Sequence, residues 1–314
     1  LSPTFPFLLF ALFQLKFAII TPALITGSFA ERVKFTSYLI FMCLFSLLIY
    51  CPLAHWTWHP EGFLRVWGVL DFAGGTVVHM SAGFAALAGA YILGKREEKQ
   101  HQPANIPFII LGTGMLWFGW FGFNAGSALA ANGLAVQAFA TTNMASASAM
   151  ITWVMFDALV GRKISAMGAC IGAVVGLVAI TPAAGFVNLG QSVFIGFVAA
   201  LISNMAVYYK QKTSLDDTLD VFPCHGVGGI VGMILTAVFA KDVGLVYGEV
   251  ETFKFHMLAL FIVGVFTFGG SYVIFKITGM ITRMRVSPED EQLGLDLSQH
   301  AETMRISTKS EVVA

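Results

Sequence analysis

Nine stretches of mostly apolar residues follow one another along the chain, each set off from the next by a short polar connection. A helix needs about 20 such residues to cross the hydrocarbon of a bilayer. The pattern predicts spanning helices at approximately 5–30, 35–54, 71–94, 107–130, 136–160, 165–183, 190–210, 221–240 and 255–281. Pro107 and Asp71 stand at predicted first turns, where a missing N–H or an N-cap carboxylate suits a helix start. The predicted fold class is all-α: a polytopic membrane domain over residues 1–281, followed by a polar tail over 282–314.

Charges in the connections alternate. Arg32 and Lys34, then Lys95, Arg96 and Lys99, then Arg162 and Lys163, then Lys210 and Lys212, then Arg283 and Arg285 fall on one side. The other side holds only Arg65, Lys241 and Lys254. The positive-inside rule makes the rich side cytoplasmic. The chain is then expected to start outside and end inside a cell membrane, plasma or inner, with a cytoplasmic C-terminal tail. The 55–70 connection, with Trp56, Trp58 and Trp67, becomes an external segment of interfacial character.

Composition agrees with this picture. Of 314 residues, 57% are hydrophobic and 11% charged, against about 25% charged in a soluble domain. Mean hydropathy is +0.77. A formal net charge of zero offers nothing to nucleic acid. Cys43, Cys51, Cys170 and Cys224 show neither CxxC nor Cys/His spacing, and read as small buried hydrophobes. Leu1 opens directly on an apolar run with no basic segment before it. That fits neither a signal peptide nor an intact start, so the chain is expected to begin inside a longer one.

Two histidines break the apolar pattern. His79 lies in "DFAGGTVVHMSAG" and His225 in "VFPCHGVGGIVG". A histidine in hydrocarbon needs a partner, a water-filled cavity or a task. Gly75, Ala82, Gly83 and Ala86 share one helical face with His79, and Gly228, Gly229 and Gly232 share one with His225. Small residues on facing stripes let two helix backbones approach, which would set the imidazoles side by side, one ring nitrogen donating to the other. Such a pair is either a packing device in a tight crossing or part of a pore or proton relay. No third Cys, Asp or Glu accompanies them at mid-depth, so no metal is expected, nor any cofactor. An enzyme is not expected either: the histidines lack a nucleophile and a carboxylate partner.

Together "GSFAER", "DFAGGTVVH", "GWFGFNAGSA" and "FPCHGVGGIVG" resemble the ammonium transporter (Amt/Mep/Rh) family, on its Amt/Mep branch, and the resemblance runs from about residue 10 to 302. It implies an eleven-helix inverted repeat assembled as a homotrimer with one pore per subunit. The nine spans here match family helices three to eleven, and the two that would precede them also line the family's pore. By the same resemblance, Trp58, Phe17, Ser127 and Phe13 recruit external ammonium, Phe17 and Phe123 form a gate, and His79 and His225 line the pore beneath. Asp71 supports the outer site.

The implied chemistry is physically coherent. Aromatic faces attract a small cation by about 0.5–2 kcal/mol each. Burying the bare cation costs several kcal/mol, which deprotonation removes and potassium cannot avoid. The implied partners are ammonium or ammonia, membrane lipid, further copies of the chain, and a PII-type cytoplasmic regulator or a signalling domain at the tail. The tail "GLDLSQHAE" resembles the family's C-terminal element, with Ala301 where a glycine is usual, which leaves a tight turn open there. Lys16, between Phe13 and Phe17, would repel a cation if it faced the pore, and would otherwise snorkel outward. An ammonium sensor with little or no flux is the alternative to a transporter. A Rh-type gas channel fits less well, since that branch lacks the cage to which Trp58 and Ser127 belong.

Overall fold

The computed structural model describes residues 5–97, 103 and 105–302; Lys99 and the tail beyond residue 302 lie outside them. Among the described residues the chain is helical, with one isolated antiparallel bridge, Val33 to Arg285, and no strand. Nine long elements correspond to the nine expected spans. They are α1 (Phe7–Phe29), α2 (Phe35–Phe45, continued through a wide turn into Cys51–Trp58), α3 (Gly75–Leu93), α4 (Ile106–Gly126) and α5 (Gly133–Leu159), then α6 (Ala166–Ile180), α7 (Leu189–Gln211), α8 (Phe222–Phe239) and α9 (Val250–Ile281). Two short tail helices follow, α10 (Pro288–Leu293) and α11 (Leu295–His300).

Seven of the nine are long and apolar enough to cross a bilayer by themselves. The exceptions are α6, which has only 15 residues, and α5, whose Thr141, Thr142 and Ser146 are buried among its neighbours. The chemistry of the connections sets the helix starts. Asn105, Asn132, Ser165 and Asn188 each cap the helix that follows, and Asn188 forms a reciprocal capping box with Gln191. Helix α9 starts five residues before the apolar stretch, at Val250, because its polar first turn is helical too, with Lys254 and Glu251 paired at 2.7 Å.

Helix α3 begins later than the apolar pattern predicts. It starts at Gly75, after Gly74 at φ +123, so Asp71 is not the N-cap residue. Its carboxylate instead reaches across the break and accepts from the N–H groups of Gly74, Gly75 and Thr76.

The apolar side chains form two principal clusters. One joins α1, α2, α3 and α9, and the other joins α5, α6, α7 and α8. The helices α3 and α8 meet between them, antiparallel: Gly83 faces Gly226, His79 faces Gly229, and Gly75 faces Met233. A Cβ on Gly83 would stand 2.3 Å from the Gly226 Cα. The two stripes do not meet as whole units, however. Gly228 and Gly232 turn toward Val178 and Ala179 of α6, and the Ala86 carbonyl accepts from Ser28 of α1.

The basic ends of the helices gather on one face. Arg96 bridges Asp216 at 3.0 Å and Glu31 at 2.7 Å, while the fully buried Arg32 donates to Thr218 and to the Ser28 and Asp216 carbonyls. Burial brings the Arg32 guanidinium down to about 10, against the favourable charge of Asp216. Burial also raises the Asp216 carboxyl, but the hydrogen bonds and charge of Arg96 outweigh it and leave it below its ordinary value. Its contribution to stability is therefore present above the ordinary carboxylate range and is lost as pH falls through the lower folded value.

The tail lies on this face. Glu291 accepts from Arg285 and from the Glu97 N–H, and Gln299 accepts from the Phe35 N–H. Ala301 makes the left-handed turn in place of a glycine, at φ +55.

Substituting Gly83 by alanine should strongly reduce the yield of folded protein, since overpacking costs about 1–3 kcal/mol or more where backbone blocks relaxation. The Gly112→Ala variant on α4, where a Cβ meets nothing within 4 Å, should be neutral or slightly stabilising. Thermal unfolding of the two purified variants distinguishes them.

Candidate functional site

On the face opposite the basic residues lies a cavity of about 930 Å³ lined by Phe10, Phe13, Phe17, Trp58, Asp71 and Ser127 among others. Each has a local reason to be there. Trp58 ends α2, and its indole Nε1–H donates to the Asp71 carbonyl at 3.0 Å. Asp71 also binds the Thr76 hydroxyl at 2.5 Å, so a single residue holds both the tryptophan and the start of α3. Ser127 closes α4 and donates its hydroxyl to the Phe123 carbonyl at 2.8 Å, leaving its oxygen free to accept.

Aromatic rings lead inward from this cavity. Phe17 lies 5.0 Å from Phe13, 5.5 Å from Trp58 and 4.6 Å from Phe123, centroid to centroid. Beyond them the fully buried His79 ring runs nearly parallel to Phe123 at 6.0 Å and to Trp120 at 5.3 Å. The Nδ1 atoms of His79 and His225 are 3.3 Å apart. Both cannot donate, so one imidazole carries its proton on Nδ1 and the other on Nε2. Nε2 of His79 is buried and has no partner in the protein. The structure thus brings Trp58, Phe13, Phe17, Phe123 and Ser127 together, with His79 and His225 beneath. Lys16 is exposed on the outside of α1 and does not line the cavity. Phe118 also points away, at 79% exposure, and Phe121 stacks on Phe139.

Three residues escaped the sequence reading. Trp120, on the face of α4 shared with Phe123 and Ser127, is fixed over His79 by its N–H bond to Thr181 at 2.9 Å. The spacings 120, 123 and 127 were its visible signal. Asp217 is the counterpart of Asp71: fully buried, it accepts from the Val221 and Phe222 N–H groups at the start of α8. Each aspartate precedes its histidine by eight residues, and that repeated spacing was legible. His256 is the third. It is fully buried near the start of α9, and its polar surroundings in the sequence hid it. Among the described residues no group of three or more His, Cys, Asp or Glu side chains could hold a metal ion.

Fold and site together define a polytopic helical membrane protein in which two helices that begin with wide turns cross beneath an aromatic-lined cavity. The chain belongs to the Ammonium Transporter Family, whose model matches residues 2–305. It is 45% identical over 311 residues to a putative ammonium transporter of Methanothermobacter thermautotrophicus, covering 96% of this chain and 76% of that protein. The solved structure of Saccharomyces cerevisiae Mep2 superposes with a TM-score of 0.86 at 34% identity, over 91% of this chain and 68% of that one. A sensor Amt protein superposes with a TM-score of 0.85 at 31% identity, over 91% and 75% respectively.

Asp71 should prove essential to the cavity end of this site. Removing a charged acceptor from several buried N–H groups costs about 1–3 kcal/mol per unsatisfied group. Asp71→Ala should therefore lower the unfolding temperature sharply, and Asp71→Asn, which keeps one acceptor oxygen, should lower it less. Melting curves of detergent-purified protein provide the comparison.

Proposed function

We propose that this chain moves ammonium nitrogen across a cell membrane, with the cavity facing outward and the basic face in the cytoplasm. The observation that carries the reading is the paired imidazoles directly beneath a stack of rings, with the His79 Nε2 left unpartnered. Ammonium is recruited between Trp58, Phe13 and Phe17, with the Ser127 oxygen accepting from one N–H. Its attraction to each ring is about 0.5–2 kcal/mol.

Phe17 and Phe123 bar the intact ion. Past them the buried imidazoles carry no negative charge to offset its burial, which costs several kcal/mol. The ion gives up a proton, ammonia passes along the histidines, and the imidazole pair accepts or relays the proton. Potassium has no proton to surrender and is excluded. In this reading the chain works as a homotrimer together with helices that would precede α1, and the tail on the basic face is where a cytoplasmic regulator or signalling domain would act. The likeness to a sensor Amt protein favours one second reading, in which the same site binds ammonium and signals with little flux.

Two measurements test the reading. Trp58→Leu should raise the ammonium concentration needed for half-maximal uptake several-fold, whereas Trp67→Leu, outside the cavity lining, should change it little. Equal effects of the two on uptake would count against the cage.

The second compares His79→Asp with His79→Ala in proteoliposomes holding equal amounts of folded protein. Aspartate adds a negative charge that stabilises an intact cation, so potassium current should appear. Alanine removes the relay, so ammonium-evoked current should fall. Potassium exclusion in the aspartate variant, with wild-type ammonium current in both, would make the histidines packing residues. A wild-type protein that binds ammonium and passes no current would establish the sensor reading.

A further inference from the structure

The segment from Trp67 to Gly74 is irregular backbone set among helices, and the outer site hangs from it. Unpaired N–H groups are costly at such a place, so irregular chain is held only where protein supplies acceptors. Here the acceptors come from three directions. The Val69 N–H donates to the Leu64 carbonyl, the Phe72 N–H to Pro182, and between them the Leu70 N–H donates to His256 Nε2 at 2.9 Å. On its other edge His256 has Nδ1 3.0 Å from the Met233 carbonyl of α8. A carbonyl can only accept, so the proton of His256 is on Nδ1 and Nε2 is the acceptor. The tautomer is fixed from both sides.

What this ring joins is specific. Leu70 adjoins Asp71, whose carbonyl holds Trp58 and whose carboxylate starts the helix of His79. Met233 lies on the helix of His225 and packs against Gly75. His256 therefore spans the gap between α8 and the segment leading into α3, from a third helix that carries neither site histidine.

We propose that His256 is a positioning residue for the outer recruitment site. It acts through Leu70 and Asp71 on Trp58, and touches neither the cavity nor the path. The inference rests on the transport reading above for its kinetic consequence, though not for its structural one. Losing the Nε2 acceptor frees the Leu70 N–H, shifts the Asp71 carbonyl and loosens the indole. The damage falls on recruitment and leaves passage through the path intact.

The test uses His256→Leu, His256→Asn and His256→Gln, each alone and combined with Trp58→Leu. A glutamine amide presents an acceptor and a donor about as far apart as the two ring nitrogens. Asparagine is shorter and reaches the Met233 carbonyl but not Leu70. Hydrogen exchange of the 68–74 segment should quicken roughly tenfold or more in the leucine and asparagine variants, as expected for a lost buried bond, and stay near wild type in the glutamine variant.

In proteoliposomes, leucine and asparagine should raise the half-saturating ammonium concentration several-fold while maximal uptake per folded protein stays within about twofold. On the Trp58→Leu background neither should add to the loss, since residues acting through one contact are non-additive. If the leucine variant fails to fold, the contrast between asparagine and glutamine decides. Unchanged exchange, indistinguishable asparagine and glutamine variants, or additivity with Trp58→Leu would each overturn the assignment. Absence of wild-type ammonium uptake would refute the transport reading instead, and the exchange data would still decide whether His256 holds the segment.

Discussion

The backbones of α3 and α8 lie in contact at Gly83 and Gly226, too close for a single methyl group between them. Everything at the centre of the molecule follows from that approach. It places His79 and His225 within reach of each other's Nδ1, and it gives each imidazole a polar partner where the surroundings are otherwise apolar. In hydrocarbon, helix association has no hydrophobic drive and depends on close packing of small residues. The glycines thus bring the helices together, and the polar pair comes with the contact.

A second constraint acts at the helix starts. Both histidine-bearing helices begin with wide turns deep in the protein, where the first N–H groups have no intrahelical partner. Asp71 and Asp217 answer this with carboxylates that accept from those groups, each eight residues ahead of its histidine. At the cavity end the same aspartate also holds Trp58, and His256 accepts from the irregular segment that carries the aspartate. The start of α3 and the placement of Trp58 therefore depend on one residue, so a change at Asp71 affects both.

The opposite face is organised by charge. Arg32, Arg96 and Arg285 are each tied to the chain between α7 and α8, to the α3 end or to the tail, so that the tail is one layer of a continuous polar network. Lys16 belongs to neither face. Its side chain leaves α1 on the outside while Phe17, one residue on, turns inward, because successive helix positions point about a hundred degrees apart.

The sequence by itself determined the all-α membrane class, the approximate positions of nine helices and the two glycine-flanked histidines, because hydrophobic run length and helical periodicity are local properties. The family resemblance named the ring and hydroxyl positions around the cavity. Where α3 begins, which glycines face which helix, and the roles of Trp120, Asp217 and His256 were decided only by the tertiary structure. Each depends on a partner on another helix, distant in the chain, or on a turn that breaks the helical period. Gly228 looks like Gly229 in a periodicity count, yet one meets α6 and the other α3. His256 reads as the polar edge of a span until Leu70 and Met233 are seen on either side of its ring. A buried polar group is defined by what satisfies it, and that lies elsewhere in the chain.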